Sequence, residues 1–206
     1  KEYIAQMQST RVNERYLKEF TLNKNLKLTS GIAVAVDSCD FILVSTPTQY
    51  VRSSLKMIHA LNLESPLIVN VAKGIEVQSL KRVSEITQEI FGDNHHYVNL
   101  AGPSHAEELM QRIPTALVAA SKSPEHAELI QKAFMNDYLR VYSSSDVTGV
   151  ELGGALKNIF AIAAGIVDGM KFGDNTKAAL MTRGIAEMAR LGKALGGKES
   201  SFNGLS

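Results

Sequence analysis

The sequence predicts an α/β protein in which a doubly wound, mainly parallel sheet is followed by an all-helical segment. Two observations lead to this fold class. Through the first two thirds of the chain, short apolar runs alternate with amphipathic stretches, which is typical of repeated β-α-β units. From about residue 144 onward the strand signal ends, and only helical periodicity remains.

Five apolar runs are the predicted strands. Because these runs are apolar at nearly every position, we expect strands that are buried on both faces, as in a mainly parallel sheet. Helical patterns separate several of them, including one that begins at Ser123 and Pro124, with Ser123 as the cap. The runs are FILVS (41–45), LIVNVA (67–72), YVNLA (97–101), TALVAA (115–120) and LRVY (139–142).

Two long helices are predicted after the sheet. Ser144, Ser145 and Asp146 can cap a helix that runs to about Met170. Asp174 can cap a second helix, which two consecutive glycines end near residue 196. We therefore place a domain boundary near residues 143–145 and divide the chain into residues 1–143 and 144–206.

Composition excludes several classes of protein. The 206 residues carry 22 Lys+Arg and 21 Asp+Glu, and 45% of them are apolar, which is ordinary for a folded globular chain. The formal charge of +1 argues against a nucleic-acid partner or a polybasic membrane surface. Cys39 is the single cysteine, so an internal disulfide framework is excluded and a reducing cytoplasm is expected. The apolar run 159–167 is shorter than the ~20 residues that span a bilayer, so no stable membrane insertion is expected.

Three of the predicted strands end in turns that contain glycine or polar residues. In a parallel sheet these turns share one edge, where ligands of α/β proteins bind. Lys73 supplies a cation, Gly102 permits close backbone approach, and Ser104 with the following helix offers donors to an oxyanion or phosphate. Turns between strands and helices favour such residues anyway, so a purely structural role stays open.

Lys157 is the second candidate functional residue. Its helical neighbours three and four positions away are Gly153, Gly154, Phe160 and Ala161, and none of them is charged. Each helical glycine costs about 1 kcal/mol relative to alanine, so two adjacent ones indicate that something packs closely against this face. Desolvation there would lower the pKa of the lysine toward the range useful for acid–base catalysis. The alternative is an ordinary solvated lysine.

No metal site is predicted. The chain has five histidines, and none of them is spaced with an acidic partner in the way that metal ligands are.

Four segments, in order, resemble the bacterial-type NAD(P)-dependent glycerol-3-phosphate dehydrogenases. They are NERYL (13–17), VAKGIE (71–76), AGPSHAEE (101–108) and the long run from VELGGALKN to MARLG (150–192). The resemblance implies a Rossmann-type dinucleotide-binding domain over 1–143 and a helical substrate domain over 144–206. It also implies hydride transfer between NAD(P)H and dihydroxyacetone phosphate, which gives sn-glycerol 3-phosphate for phospholipid synthesis.

The resemblance further implies roles for five residues. Lys157, the lysine of GALKN, is the proton donor in reduction and the base in oxidation. Lys73 lies near both substrate and cofactor, Gly102 and Ser104 lie at the substrate, and Ala106 lies at the cofactor.

The sequence departs from the family pattern in two places. It contains no G-x-G-x-x-G turn to hold a pyrophosphate, and it ends with SFNGLS (201–206), before the family's G-L-G-D-L segment and the Arg-Asn pair that holds the substrate phosphate. We therefore expect an internal fragment of a longer chain, with the first domain N-terminally and the second C-terminally incomplete.

Two alternatives stay open. A hydroxyacid or 6-phosphogluconate-type dehydrogenase would typically show Lys-x-x-Asn, whereas Lys157 and Asn158 are adjacent here. A truncated module without catalysis is the other alternative. The long apolar helices are compatible with a homodimer.

Overall fold

The computed structural model of the chain describes residues 2–203. It begins with helix α1 (Glu2–Thr10), a hairpin of β1 (Val12–Asn13) and β2 (Leu17–Thr21), and the short helix α2 (Ile32–Val36). The sequence pattern did not predict this hairpin, because its strands are short and neither contains a buried residue. Lys1 and residues 204–206, the end of SFNGLS, lie outside the described residues.

A five-stranded sheet with the spatial order β3-β4-β5-β6-β7 forms the centre of the first domain. The pairs β3–β4, β4–β5 and β6–β7 are parallel, which confirms the predicted doubly wound, mainly parallel sheet. All five predicted strands are present. They are β3 (Ile42–Val44), β4 (Leu67–Asn70), β5 (His96–Ala101), β6 (Thr115–Ala120) and β7 (Leu139–Ser144).

Strand β6 runs antiparallel to β5. The helix between them, α5 (Ala106–Met110), has only five residues and rises about 8 Å, whereas a six-residue strand is about 20 Å long. α5 is too short to return the chain to the end of the sheet where β5 starts. β6 therefore starts at the end where β5 stops and runs in the opposite direction to β5.

Apolar helices cover both faces of the sheet. On one face, α3 (Thr48–His59) and α4 (Val83–Phe91) pack on the side of the sheet that includes Ile68. On the other face, α6 (Pro124–Phe134) packs on the side that includes Val69. Successive residues of a strand point to opposite faces, so a strand that is apolar at every position fills both cores.

The last third of the chain is helical, as predicted. It contains α7 (Val147–Gly169), α8 (Asp174–Ala194) and a short 3-10 helix (Glu199–Asn203). Asp146 caps α7 by accepting a hydrogen bond from the Gly149 amide at 2.9 Å. The same carboxylate accepts one from the Ser201 hydroxyl at 2.6 Å, which joins the 3-10 helix to the start of α7.

Helix α7 is long and apolar enough to cross a bilayer by length and composition alone. In the structure 33% of its most apolar stretch is buried, and core helices of soluble proteins have the same length and composition. This is weak evidence for a membrane span, and the absence of membrane insertion stays a prediction.

Candidate active site

The turns that follow β3, β4 and β5 meet at one edge of the sheet, because these three strands are parallel. The hydroxyl of Thr48 donates a 2.8 Å hydrogen bond to the carbonyl oxygen of Lys73. The ammonium of Lys73 donates one of 2.8 Å to the carbonyl oxygen of Gly102. The three turns are therefore linked by direct contacts and hold a cation at the edge where ligands of α/β proteins bind.

Two glycines allow these turns to pack so closely. Gly74 and Gly102 have φ of 134° and 149°, which L side chains rarely adopt. A Cβ at Gly102 would lie 2.8 Å from the carbonyl oxygen of Ala116, and a Cβ at Gly74 would lie 3.0 Å from Oγ1 of Thr48. The backbone at this edge therefore requires glycine at both positions.

A pair of buried amides supports the turn that carries Lys73. Asn70 and Asn99 are 0% and 2% exposed and stand opposite each other in the β4–β5 register. The Asn70 side chain donates to Oδ1 of Asn99 at 2.8 Å and accepts from the backbone amide of Ala72 at 3.0 Å. The sequence analysis missed this pair. Its signal was present, since LIVNVA and YVNLA each contain one asparagine within an apolar strand.

Helix α7 brings Lys157 to the same edge. Gly153 and Gly154 are buried, and a Cβ on Gly154 would lie 3.8 Å from Cγ of Lys73. Lys73 is therefore a close neighbour of the face of α7 on which the sequence places small residues around Lys157.

The two lysines are half-buried and close enough for their charges to interact. Burial lowers the pKa of Lys157 below its usual value. Burial also lowers the pKa of Lys73, and the neighbouring charge of Lys157 lowers it further. Among residues 2–203, neither ammonium has a carboxylate within ion-pair distance. This pair of ammonium groups is thus suited to bind an anionic group and to give a proton to an oxygen that gains negative charge.

Ser104 and Ala106 lie farther along the same turn. The Ser104 hydroxyl is half-buried and donates a 3.3 Å hydrogen bond to the carbonyl oxygen of Gly102. Ala106 is exposed and is the first residue of α5. The structure therefore brings Lys73, Gly102 and Ser104 into direct contact and places Ala106 four residues beyond Gly102 on the same segment.

Glu151 is a buried residue of α7 that the sequence analysis missed. Its carboxylate accepts hydrogen bonds from the Ser84 amide at 2.9 Å, from Arg82 Nη1 at 2.9 Å and from the Tyr97 hydroxyl at 2.7 Å. These contacts connect α7 to α4 and to β5, one and two-thirds turns before Lys157. Burial, and then the Glu151 charge, raises the pKa of Tyr97 well above its usual value, so this phenol stays protonated as a donor.

Within the described residues 2–203, no group of three or more His, Cys, Asp or Glu side chains is arranged to hold a metal ion.

Two family models match the chain. The model described as NAD-dependent glycerol-3-phosphate dehydrogenase N-terminus matches residues 1–127. The model described as NAD-dependent glycerol-3-phosphate dehydrogenase C-terminus matches residues 146–206.

Curated relatives and a solved structure agree with these matches. A protein from Staphylococcus haemolyticus named glycerol-3-phosphate dehydrogenase (NAD(P)+) is 47% identical over an alignment that covers 98% of this chain. A protein of the same name from Clostridium botulinum is 42% identical over 100% of this chain. The crystal structure of glycerol-3-phosphate dehydrogenase from Coxiella burnetii superposes with a TM-score of 0.93 at 32% identity, over 99% of this chain and 62% of its own. The chain spans about three fifths of the length of the two curated relatives, 61% and 62%.

Proposed function

The chain belongs to the NAD-dependent glycerol-3-phosphate dehydrogenase family, and from this premise we propose that the protein interconverts dihydroxyacetone phosphate and sn-glycerol 3-phosphate. One observation supports this proposal above the others: Lys157 and Lys73 are half-buried neighbours at the carboxyl edge of the parallel strands, without a carboxylate partner among the described residues. A phosphorylated ketone needs such a pair, because it carries a dianion and an oxygen that must be protonated.

Lys157 is the proposed acid and base. A reduced nicotinamide, when bound, supplies the hydride to the carbonyl carbon of the substrate. As the C–O double bond breaks to a single bond, negative charge builds on the oxygen, and the nearby ammonium of Lys157 stabilises that charge. Lys157 then gives its proton to this oxygen and becomes a neutral amine, and in the oxidative direction the amine takes the proton back. Burial lowers the pKa of Lys157, which reduces the free energy needed to form the neutral amine.

Lys73, Gly102 and Ser104, together with Lys157, are the proposed substrate-binding residues. The hydrogen bond from Lys73 to the Gly102 carbonyl holds the ammonium at the strand edge, where it attracts the anionic substrate. Ser104 offers a hydroxyl from the same turn.

The strand edge also fits the nicotinamide end of NAD(P). Gly74 and Gly102 let the turns after β4 and β5 pack closely at the carboxyl ends of the parallel strands, which is the side of the sheet where α/β proteins bind dinucleotides. We assign the contact with the cofactor to Lys73 and Ala106.

The proposed domain division follows the end of the sheet. Residues 1–143 form the dinucleotide-binding domain, and 144–206 begin the helical substrate domain. This boundary is supported by the end of β7 at Ser144 and the cap of α7 at Asp146.

Turnover of dihydroxyacetone phosphate with NADH or NADPH, followed by loss of nicotinamide absorbance, tests the proposal. In the protein that turns over, Lys157→Ala should lower kcat by two orders of magnitude or more, as loss of a general acid does. Lys56→Ala is the control, since Lys56 is exposed on α3 and takes part in none of the ion pairs of residues 2–203.

Three results would contradict the proposal. Normal turnover of Lys157→Ala would remove its assigned role. Turnover of 6-phosphogluconate or a hydroxyacid in place of dihydroxyacetone phosphate would favour the related dehydrogenases. A folded protein that turns over none of these substrates would favour a module without catalysis.

Cytoplasmic location and a homodimer stay predictions. Cys39 is a free, exposed thiol, which suits a reducing compartment. Light scattering after gel filtration measures the mass of the assembly.

A further inference from the structure

A second cavity lies at the edge of the sheet opposite Lys73. Its volume is about 590 Å³, and it is bounded by α4, the start of β5 and the first residues of α6 and α7. His96 begins β5 and lines the cavity, whereas Ala101 ends β5 beside Gly102, so the two edges are roughly 17 Å apart at ~3.3 Å per residue. None of the five proposed active-site residues lines this cavity.

The carboxylates on the cavity wall already have cationic partners. Glu89 pairs with Arg52 at 2.8 Å and with Lys81 at 2.6 Å. Glu85 pairs with Arg82 at 3.0 Å. Each of these two carboxylates therefore has a cationic partner, and Arg52 and Arg82 also pair with the buried Glu76 and Glu151.

Apart from Tyr97, whose hydroxyl donates to Glu151, the remaining ionisable groups of the wall are cationic or become so on protonation. Lys122, His95, His96 and His126 have no carboxylate within ion-pair distance among residues 2–203. The rings of His96 and His126 are 4.2 Å apart between centroids, and repulsion from His96 is one of the causes that lower the pKa of His126. An anion between Lys122 and these rings would remove that repulsion.

Two helices also begin at the cavity. α6 starts beside Ser123, and α7 starts at Val147, and both residues line the cavity. The positive end of α6, whose cap Ser123 is uncharged, adds to the potential of the unpaired cation and the histidines, whereas the carboxylate of Asp146 already caps α7.

We propose that this cavity binds a small molecule that carries a phosphate or sulfate group, at a site separate from the proposed site of hydride transfer. Lys122 supplies the charge, and His126 and His96 supply N–H donors. Its volume lies within the range of about 300–1,000 Å³ of small-molecule sites, so it has room for more than the anionic group.

Anion binding should strengthen as the pH falls. Burial is the main cause that lowers the pKa of both His95 and His126. These two rings therefore become protonated at a lower pH than an ordinary histidine does. The neighbouring charges act in both directions: Asp93 and Glu125 favour protonation, whereas Lys122 and His96 oppose it. The other charged groups of the wall are Lys81, Arg82, Glu85 and Glu89, which are paired as described, and the buried Glu151 contacts Arg82 behind the wall.

Sulfate is the probe, because it stays a dianion between pH 5.5 and 8. Binding is measured by calorimetry at constant ionic strength with the variant Lys73→Gln/Lys157→Gln, in which the cations of the proposed active site are absent. Adding Lys122→Gln or His126→Gln to this variant should weaken sulfate binding at pH 5.5 by about tenfold, as loss of one charge-assisted hydrogen bond does. Adding Lys56→Gln should leave binding unchanged.

The proposal is overturned if sulfate does not bind at pH 5.5, or if Lys122→Gln and His126→Gln bind it as tightly as their parent. Repeating the titration with inorganic phosphate and with a phosphate monoester distinguishes a site for the free anion from a site for a phosphorylated metabolite. Circular dichroism of each variant checks that it is folded. Turnover is not a readout here, so failure of this proposal leaves the proposed function intact, and the reverse holds as well.

Discussion

The hydroxyl of Tyr97 donates a 2.7 Å hydrogen bond to the carboxylate of Glu151, and this contact joins β5 to α7 inside the protein. Arg82 and Ser84 of the α4 segment bind the same carboxylate. Since Lys157 lies on α7, these contacts set the rotation and height of the helix relative to Lys73. We infer that Glu151 is a positioning residue for Lys157.

Glu151→Gln should lower the free energy of unfolding by about 1.5–3 kcal/mol, because it removes the buried carboxylate that accepts hydrogen bonds from Arg82, Ser84 and Tyr97 and leaves Arg82 with only the more exposed Glu85. Urea unfolding measures this change. Glu187→Gln is the control, since the pair that Glu187 forms with Arg183 is largely exposed and contributes about 0–1 kcal/mol. Equal losses in the two variants would contradict a special role for Glu151.

Gly102→Ala should destabilise the protein by about 2 kcal/mol and reduce turnover. The backbone has a φ of 149°, and the new Cβ would lie 2.8 Å from the carbonyl oxygen of Ala116. Gly165 lies in α7, and a methyl group added there would meet nothing within 4 Å. Gly165→Ala should therefore stabilise the helix by up to about 1 kcal/mol. Thermal unfolding of both variants checks the contrast, and a neutral Gly102→Ala would refute it.

Asn99→Leu should cost about 1–3 kcal/mol, because the buried amide of Asn70 loses its partner. Asn70→Leu/Asn99→Leu should cost less than the sum of the two single changes, since neither amide is then left unsatisfied. A double-mutant cycle from urea unfolding measures this coupling. Strict additivity would mean that the hydrogen bond between the two amides contributes nothing.

The rate of dihydroxyacetone phosphate reduction should fall as the pH rises through the pKa of Lys157, because reduction requires its ammonium form. Oxidation of glycerol 3-phosphate should rise over the same interval, because it requires the neutral amine. Burial lowers this pKa, so the transition should occur below the usual lysine range. Profiles of kcat/KM against pH in both directions test the sign. Two profiles that move the same way would exclude Lys157 as the group that titrates.

The sequence by itself predicted features that depend on neighbouring residues. The apolar runs of β3–β7, the cap at Asp146 and the small-residue face around Lys157 are all properties of a few consecutive positions. Periodicity and capping are local, so they could be deduced before any fold was known. The β1–β2 hairpin was not predicted, because it has no buried residue and therefore little apolar periodicity.

Only the tertiary structure decided which distant groups meet. The antiparallel pairing of β6 follows from the short reach of α5, and the contact of Lys73 with Gly102 joins turns 29 residues apart. Glu151 contacts Arg82, which lies 69 residues earlier in the chain. The cavity beside His126 is formed by four separate elements. Such contacts depend on chain path and packing, which local sequence patterns do not encode.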